Sequence, residues 1–150
     1  RNKNMTTREE LTDHPADSVV LMIHNEAGDK ILLNKEFRMA CGTFVYNVPA
    51  GLIDSGEDFR ESAARELKEE TGLDLVRIDD VLGESFSAIG FSNEKNICIV
   101  GTAKGEFAPS TSAAEEIEAK WFTKAEVREL LKKEYFAART QSYCYLWSKD

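Results

Sequence analysis

The sequence GLIDSGEDFRESAARELKEETGL occupies residues 51–73 and carries the clearest structural signal in the chain. Over residues 58–71 the apolar side chains recur with helical spacing, which predicts a helix there. Ser55 is the candidate N-cap of this helix, and Gly72 is the residue just past its C-terminus. Strand-like segments precede and follow the helix, so we expect it to lie in the middle of the fold.

Two glutamates of this helix share a face with its apolar residues. At 100° per residue, Glu70 lies about 40° from Glu66, inside the stripe that holds the apolar side chains Phe59, Ala63 and Leu67. A solvated outer face is the ordinary explanation of an acidic helix, but like charges at i,i+4 cost about 0.2–0.5 kcal/mol even in water, and more when half-buried. A divalent cation would neutralise both carboxylates. Ligands that are all oxygen favour Mg²⁺, with Mn²⁺ as a substitute.

A tight bend precedes the helix. Pro49, Ala50 and Gly51 follow a strand-like segment, and proline and glycine in that position predict a turn. A backbone carbonyl in this turn would supply a further oxygen ligand to a cation. The turn and the helix together therefore predict one metal site.

The composition describes a single globular domain. The chain has 150 residues, of which 42% are hydrophobic and 31% charged, which is enough to bury one core. Its net charge of −8 argues against binding nucleic acid by neutralising phosphates. No apolar run approaches the ~20 residues that a bilayer span requires, and three scattered cysteines suggest neither a disulfide framework nor a zinc site. We expect a cytoplasmic protein with no nucleic acid and no membrane among its partners.

The order of predicted elements indicates an α+β fold with a mixed sheet packed between helices. Residues 1–16 are expected to be a flexible N-terminal lead-in, and residues 17–150 a single domain. The apolar segments that predict strands are residues 18–24, 30–38, 43–48, 75–86, 96–104 and 117–122. Residues 25–29 join the first two strands in a hairpin, and Pro49 is expected to end the third strand in a loop.

Two helical segments close the chain, at residues 124–133 and 135–147. The inner face of the last helix is predicted to consist of large side chains, namely Tyr143, Tyr145, Leu146 and Trp147.

The central segment matches a known motif. It has Gly51, then five residues, Glu57, then seven residues, then the sequence RELKEETGL at residues 65–73. This resembles the Nudix box, GX5EX7REUXEEXGU with U aliphatic, at every specified position. The flanking elements are similar to the whole Nudix fold, so the resemblance implies that residues 17–150 form one Nudix hydrolase domain.

The resemblance implies a role for four residues at the metal site. Glu66 and Glu70 correspond to the principal Mg²⁺ ligands, and Glu69 to a further ligand or to a residue that holds the catalytic water. The carbonyl of Ala50 corresponds to the backbone ligand of the family.

Two other residues of the box are implied to shape the site. Glu57 is expected to pair with Arg65 and hold the loop against the helix, which makes both part of the catalytic geometry. Such enzymes hydrolyse a nucleoside diphosphate linked to another group, using metal ions to draw charge from the diphosphate and to activate a water.

Segments around the box resemble the branch that cleaves ADP-ribose and nucleotide sugars. These segments are residues 36–38, 49–54 and 90–94, whereas Asn47 and Ile89 depart from the usual glutamate and proline of that branch. The resemblance implies cleavage of the pyrophosphate bond to give a nucleoside monophosphate and a sugar phosphate. A nucleoside triphosphate pyrophosphatase and a non-hydrolytic ligand sensor are the alternatives. Dimers are common in this branch, so a homodimer is left open.

Three residues are candidates for binding the small-molecule nucleotide. The guanidinium of Arg38 matches phosphate oxygens, although a surface ion pair would explain it equally well. Phe44 and Phe91 could stack on a base, and core packing is the alternative for each of them.

The general base is expected in a late acidic loop, residues 111–118. Glu116 is the first choice, Glu115 the second and Glu94 the third, because hydrolysis needs a carboxylate near the attacking water. A solvated loop of carboxylates is the alternative explanation for this segment.

Overall fold

The computed structural model describes residues 14–109 and 117–149. In these two ranges the chain forms eight strands and three helices. In chain order they are β1 (Ser18–His24), β2 (Lys30–Arg38), β3 (Thr43–Asn47), β4 (Ala50–Leu52), α1 (Phe59–Thr71), β5 (Asp74–Val81), β6 (Ser85–Phe86), β7 (Lys95–Lys104), β8 (Ile117–Thr123), α2 (Lys124–Lys133) and α3 (Ala138–Ser148). None of these helices is long and apolar enough to cross a membrane.

The strand β1 lies at the centre of the sheet, in the order β3-β2-β1-β7-β5. One edge of β1 pairs in parallel with β7 over all seven residues of β1. The other edge is divided, because β4 pairs with residues 18–20 and β2 meets β1 only where His24 faces Ile31. The predicted hairpin of β1 and β2 is therefore paired only next to its turn. β2 and β4 separate from each other, which leaves a split in the sheet beside β1.

Alternate residues of β1 face two apolar clusters on opposite sides of the sheet. One cluster joins β1 to α1, and its members from β1 are Val19, Leu21 and Ile23. The other cluster joins β1 to α2 and α3, and its members from β1 are Val20 and Met22. Full burial of such side chains stabilises the fold by about 1.5–3 kcal/mol each. The sheet lies between α1 and the α2–α3 pair, which confirms the predicted α+β fold with a mixed sheet between helices.

The helix α1 begins at Phe59 and is capped by Asp58, so the prediction of Ser55 as its N-cap is wrong. The carboxylate of Asp58 accepts a hydrogen bond from the backbone N of Arg60 at 2.8 Å. Ser55 lies exposed in the preceding loop, too early in the chain for its hydroxyl to reach the first free N–H groups of the helix. Gly72 ends the helix in the left-handed conformation, with φ of 83°, as the sequence predicts.

The strand β4 lies where the sequence predicts a loop, and this prediction is wrong. Pro49 has no N–H group and does end β3, but its carbonyl accepts a hydrogen bond from the N of Leu21 at 2.9 Å. The chain then pairs with β1 over Ala50–Leu52. The partner strand β1 is distant in sequence, so the residues around Pro49 predict a turn and give no indication of β4.

The predicted strand over residues 75–86 is also wrong in its extent. It is divided into β5 and β6, which both pair with β7 but at different points along it. The pairing of β5 with β7 has two register shifts, so the hydrogen-bond ladder between these strands is not continuous. Residues 82–84 between the two strands make no ladder of their own.

The last helix starts three residues later than predicted, at Ala138 rather than at Tyr135. Tyr135 and Phe136 are extended instead and lie against β3, where the N of Tyr46 donates to the carbonyl of Tyr135 at 2.8 Å. Hydrogen bonding to a strand outcompetes the helical propensity of these residues.

The inner face of α3 is only partly as predicted. Tyr143 and Trp147 pack against the cluster under α2 and α3. Tyr145 and Leu146 are 49% and 68% exposed, so their assignment to the inner face is wrong. The buried face instead follows an i,i+4 series of smaller side chains, Thr140, Cys144 and Ser148.

Replacing Asp58 by Ala should destabilise the protein by about 1 kcal/mol, because a helix N-terminal N–H loses its side-chain acceptor. The free energy of unfolding in urea measures this loss. Ser55→Ala is the matched control and should change stability little. A larger loss in the Ser55 variant than in the Asp58 variant would contradict the assignment of the cap.

Candidate active site

The carboxylate of Glu66 lies directly against the backbone of β4. Its side chain is only 14% exposed, and a Cβ atom built on Gly51 would overlap its carboxyl carbon and both oxygens. The φ of Gly51 is not positive, so its backbone conformation does not call for glycine, whereas a side chain at this position would force the Glu66 carboxylate to move. This close approach places a charged oxygen pair next to the Ala50–Gly51 backbone, as the predicted metal site requires.

Arg65 joins the loop after β4 to the helix α1. Its Nε and Nη2 each donate to one oxygen of the Glu57 carboxylate at 2.9 Å, which is a bidentate pair. Nη2 also donates to the carbonyl of Leu52 at 3.1 Å. On the other side of the guanidinium, Nη1 donates to Glu66 at 2.8 Å and to Glu69 at 3.3 Å. One cation therefore fixes the loop and two carboxylates of the helix.

Glu57 is anchored from three directions. Besides Arg65, it accepts hydrogen bonds from the hydroxyl of Ser62 and from the N of Asp54, the latter at 3.3 Å. Hydrogen bonds from Arg65 and then from Ser62 lower the pKa of Glu57 to about 2. The same pairing raises the pKa of Arg65, so both groups are charged throughout the physiological range.

Glu66 differs from Glu57, because its environment raises the pKa of the carboxyl group. Burial raises the pKa of its carboxyl group, and the adjacent Arg65 only partly offsets this effect. The negative charge of Glu69 raises the pKa of Glu66 further. An additional cation would therefore stabilise the ionised form of Glu66.

The other carboxylates of the predicted metal site differ in exposure. Glu69 is 61% exposed, whereas Glu70 is half-buried and its Oε2 atom is shielded from solvent. In residues 14–109 and 117–149, no set of three or more Asp, Glu, His or Cys side chains stands close enough together to hold a metal ion. The fit to a hard divalent cation therefore rests on the all-oxygen donor chemistry and on the buried charge of Glu66.

The predicted nucleotide-binding residues lie on exposed parts of the molecule. Arg38 is at the exposed end of β2, opposite Thr43. Phe44 is 41% exposed and packs edge to face on Phe37, with 5.4 Å between the ring centroids. Phe91 is 91% exposed. Core packing therefore explains neither Phe44 nor Phe91.

The three candidates for the general base are placed differently. Glu115 and Glu116 lie outside the described residues. Glu94 is exposed, and its carboxylate accepts a hydrogen bond from the hydroxyl of Ser87 at 2.9 Å.

A hydrogen-bonded junction that sequence reasoning missed connects β3 to α3. The side-chain oxygen of Asn47 accepts from the hydroxyl of Thr140 at 2.8 Å and from the N of Val48 at 2.9 Å. Its amide nitrogen donates to Glu36 at 3.2 Å. Asn47 therefore positions the chain that leads into β4. Its departure from the usual glutamate of the ADP-ribose branch was visible in the sequence, but its partner in α3 was not.

Comparisons with known proteins bear on the family and the fold. A match to the NUDIX domain family model covers residues 14–143. The chain is 46% identical to an ADP-ribose pyrophosphatase of Saccharomyces cerevisiae over 72 residues, which are 48% of this chain and 30% of that protein. It is 34% identical to a methanol dehydrogenase activator of Bacillus methanolicus over 89 residues, which are 59% of this chain and 46% of that protein.

A solved structure described as that of an ADP compounds hydrolase has the same fold. It superposes with a TM-score of 0.65 at 25% identity, covering 89% of this chain and 72% of the other. The chain belongs to the NUDIX domain family. It spans less than half the length of either curated relative.

Replacing Glu57 by Gln should lower stability at neutral pH, and the difference from the wild type should shrink in acid. The pKa of Glu57 is about 2 in the folded protein against an ordinary 4.5. Its ionic contribution is therefore complete above pH 4.5 and is lost as the pH falls from 4.5 to 2.

Urea unfolding of both proteins at a series of pH values measures this difference. Glu106→Gln is the control, because Glu106 is exposed and in no ion pair within the described residues. A difference between wild type and Glu57→Gln that stays constant from pH 7 to pH 2 would contradict the role of the Arg65 pair.

Proposed function

We propose that the protein is a metal-dependent pyrophosphohydrolase that cleaves the diphosphate bond of ADP-ribose or a related nucleoside diphosphate sugar. The products would be a nucleoside monophosphate and a sugar phosphate. Membership of the NUDIX domain family supports this proposal. Similarity to an ADP-ribose pyrophosphatase and to an ADP compounds hydrolase supports the choice of substrate class.

The observation that carries the proposal is the position of the Glu66 carboxylate. It is largely buried against the β4 backbone at Gly51, and it is held by an arginine that is itself fixed by Glu57. Burial makes the ionised form of this carboxylate unfavourable and so raises its pKa. A bound cation would stabilise the ionised form, and perturbed carboxylates of this kind are typical of functional sites.

Four residues would hold the metal ion, which we propose to be Mg²⁺ with Mn²⁺ as a substitute. They are Glu66, Glu70 and Glu69, through their carboxylates, and Ala50, through its backbone carbonyl. A bound divalent cation supplies positive charge to the diphosphate oxygens and lowers the pKa of a water. Arg65 keeps Glu66 and Glu69 oriented, and Glu57 keeps Arg65 oriented, so this pair positions the site and takes no part in bond breaking.

Exposed residues outside the helix would bind the rest of the substrate. Arg38 offers a planar guanidinium to phosphate oxygens, and it is in no ion pair within the described residues that would compete for it. Phe44 and Phe91 offer aromatic faces on which a base can stack.

Glu116 is our proposed general base, with Glu115 as the second choice. In the hydrolysis, the oxygen of water forms a new bond to phosphorus while the bridging P–O bond breaks. The proton from that water goes to the carboxylate of the base. Glu94 fits this role less well, because its carboxylate already accepts a hydrogen bond from Ser87.

The reaction is tested by incubating the protein with Mg²⁺ and a panel of nucleotides, followed by mass spectrometry of the products. We expect AMP and ribose phosphate from ADP-ribose. Release of pyrophosphate from nucleoside triphosphates, with no cleavage of ADP-ribose, would favour the triphosphate pyrophosphatase instead. Binding of these nucleotides without any product would favour a ligand sensor.

In the same assay Glu66→Gln and Glu70→Gln should each lower turnover by about 100-fold or more, since each removes charge from the proposed metal site. Glu61→Gln is the matched control on the exposed face of α1 and should leave turnover unchanged. Circular dichroism checks that the folded structure survives. Near-normal turnover in both folded variants would overturn the metal assignment.

Alanine substitutions should identify the base. Glu116→Ala should lower kcat by roughly 10²–10⁴-fold with a comparatively small change in KM, because a general base acts on the reaction and not on binding. Glu94→Ala should have a weaker effect. If Glu94→Ala loses more than Glu116→Ala and Glu115→Ala, our assignment of the base is wrong.

A further inference from the structure

The connection between β3 and β4 is held by a side chain of α3. β3 ends at Asn47 and β4 begins at Ala50, so Val48 and Pro49 join a strand that pairs with β2 to a strand that pairs with β1. Val48 is buried and lies outside both ladders. Its N donates instead to Asn47 Oδ1 at 2.9 Å and to the hydroxyl of Thr140 at 3.3 Å. Side chains, and not the sheet, therefore hold this N–H group.

The hydroxyl of Thr140 closes this junction. It accepts from the N of Val48 and donates to Asn47 Oδ1 at 2.8 Å, so it serves as acceptor and donor at once. Thr140 is fully buried in the first turn of α3. A backbone contact beside it fixes the same region, because the N of Ala137 donates to the carbonyl of Tyr46 at 3.0 Å. The backbone at Val48 is therefore fixed relative to α3.

Only Pro49 separates Val48 from Ala50. The ring of Pro49 holds its φ at about −65°. The carbonyl of Pro49 accepts from the N of Leu21 at 2.9 Å, and Ala50 then pairs with Val20. A displacement of Val48 is therefore passed to the backbone of Ala50 through one stiff residue.

The carbonyl of Ala50 points away from β1. Along an antiparallel strand, every second residue directs its N–H and C=O to the partner strand. In β4 these are the odd-numbered residues, because Pro49 and Ile53 both hydrogen-bond on the β1 side, at 2.9 and 3.0 Å. Ala50 and Leu52 therefore direct their carbonyls to the opposite edge of β4.

Arg65 lies at that opposite edge. The carbonyl of Leu52, which points the same way as that of Ala50, accepts from Nη2 of Arg65 at 3.1 Å. Nη1 of Arg65 donates to Glu66 at 2.8 Å, and the Glu66 carboxylate lies against Gly51. The Ala50 carbonyl is therefore on the same edge of β4 as the arginine that orients the proposed metal ligands.

We propose that Thr140 is a positioning residue of the metal site, an inference that rests on the proposed function. It acts through Val48 and Pro49 on the carbonyl of Ala50. α3 packs on the opposite face of the sheet from α1, which carries the proposed carboxylate ligands. α3 thus contributes to metal affinity although none of its residues is a proposed ligand. Groups that orient metal ligands typically change metal affinity by about 10–100-fold when they are removed.

Titration with Mg²⁺ alone tests this role. The N–H of Gly51 belongs to the same planar peptide group as the carbonyl of Ala50, so its NMR signal reports on binding at that carbonyl. This signal should shift as Mg²⁺ is added to the wild type. Thr140→Val keeps the branched shape and removes the hydroxyl, and it should weaken the measured affinity by about 10-fold. Thr140→Ser keeps the hydroxyl and should bind Mg²⁺ as the wild type does.

Thr123→Ala is the control for a general loss of stability. The hydroxyl of Thr123 caps α2, where it accepts from the N of Glu126 at 3.2 Å. Thr123 pairs with Lys30, at the start of β2, so its loss removes a helix cap without a contact to β4. Urea unfolding measures the stability that each variant has lost. Of the two, only Thr140→Val should lose Mg²⁺ affinity.

A second variant approaches the junction from the strand side and replaces Thr140→Val if that protein does not fold. Asn47→Ala removes the acceptor of the Thr140 hydroxyl and should weaken Mg²⁺ binding by a similar factor. The double variant should bind Mg²⁺ no more weakly than the weaker of the two single variants, because both changes break one junction.

The proposal is overturned if folded Thr140→Val binds Mg²⁺ as the wild type does, if Thr140→Ser binds as weakly as Thr140→Val, or if Thr123→Ala loses the same affinity. A wild type that does not respond to Mg²⁺ would overturn it together with the metal assignment.

These outcomes are separate from the hydrolysis assay. Weaker Mg²⁺ binding in Thr140→Val, with no cleavage of any nucleotide by the wild type, would support the role of Thr140 and refute the proposed activity. Hydrolysis by the wild type, with Mg²⁺ affinity unchanged in Thr140→Val, would do the reverse.

Discussion

The guanidinium of Arg65 is the interaction on which the geometry of the candidate site depends. It binds Glu57 and the Leu52 carbonyl on one side, and Glu66 and Glu69 on the other. The loop after β4 and the helix α1 are therefore fixed to each other through one planar cation. An arginine suits this position better than a lysine, because its donors point in fixed directions and satisfy several acceptors at once. Glu66 can then lie against Gly51, where no other residue type leaves space for it.

The division of one edge of β1 explains where this site is placed. β4 and β2 share that edge, and they separate because each pairs with a different stretch of β1. β4 pairs with β1 along one edge, and the carbonyl of Leu52 at its end accepts a hydrogen bond from Arg65 at 3.1 Å. The two apolar clusters hold β1 from both faces, so the split has rigid surroundings. The fold thus places the short strand that faces Glu66 on a well-packed framework.

What could be predicted from the sequence depends on how local each signal is. The helix α1, its glycine end and the pairing of Glu57 with Arg65 lie within residues 51–73, and they follow from spacing and from a motif of fixed length. β4 was missed, since its partner β1 lies about thirty residues earlier and Pro49 is a strong local signal for a loop. The start of α3 was misplaced for the same reason, because Phe136 forms a β-bridge with the distant Tyr46. The junction at Asn47 joins residues far apart in sequence, and no periodicity in the sequence indicates it.

The Arg65 cluster also bears on the order in which the molecule is assembled. Arg65 places positive charge beside Glu66 and Glu69, so a side chain of the protein itself reduces the repulsion between these carboxylates. Small zinc domains behave differently, since they fold only when their ion is present. Here Arg65 joins the loop to the helix through protein contacts alone. If the proposed metal site is correct, removal of its ion by a chelator should therefore leave the loop and the helix joined.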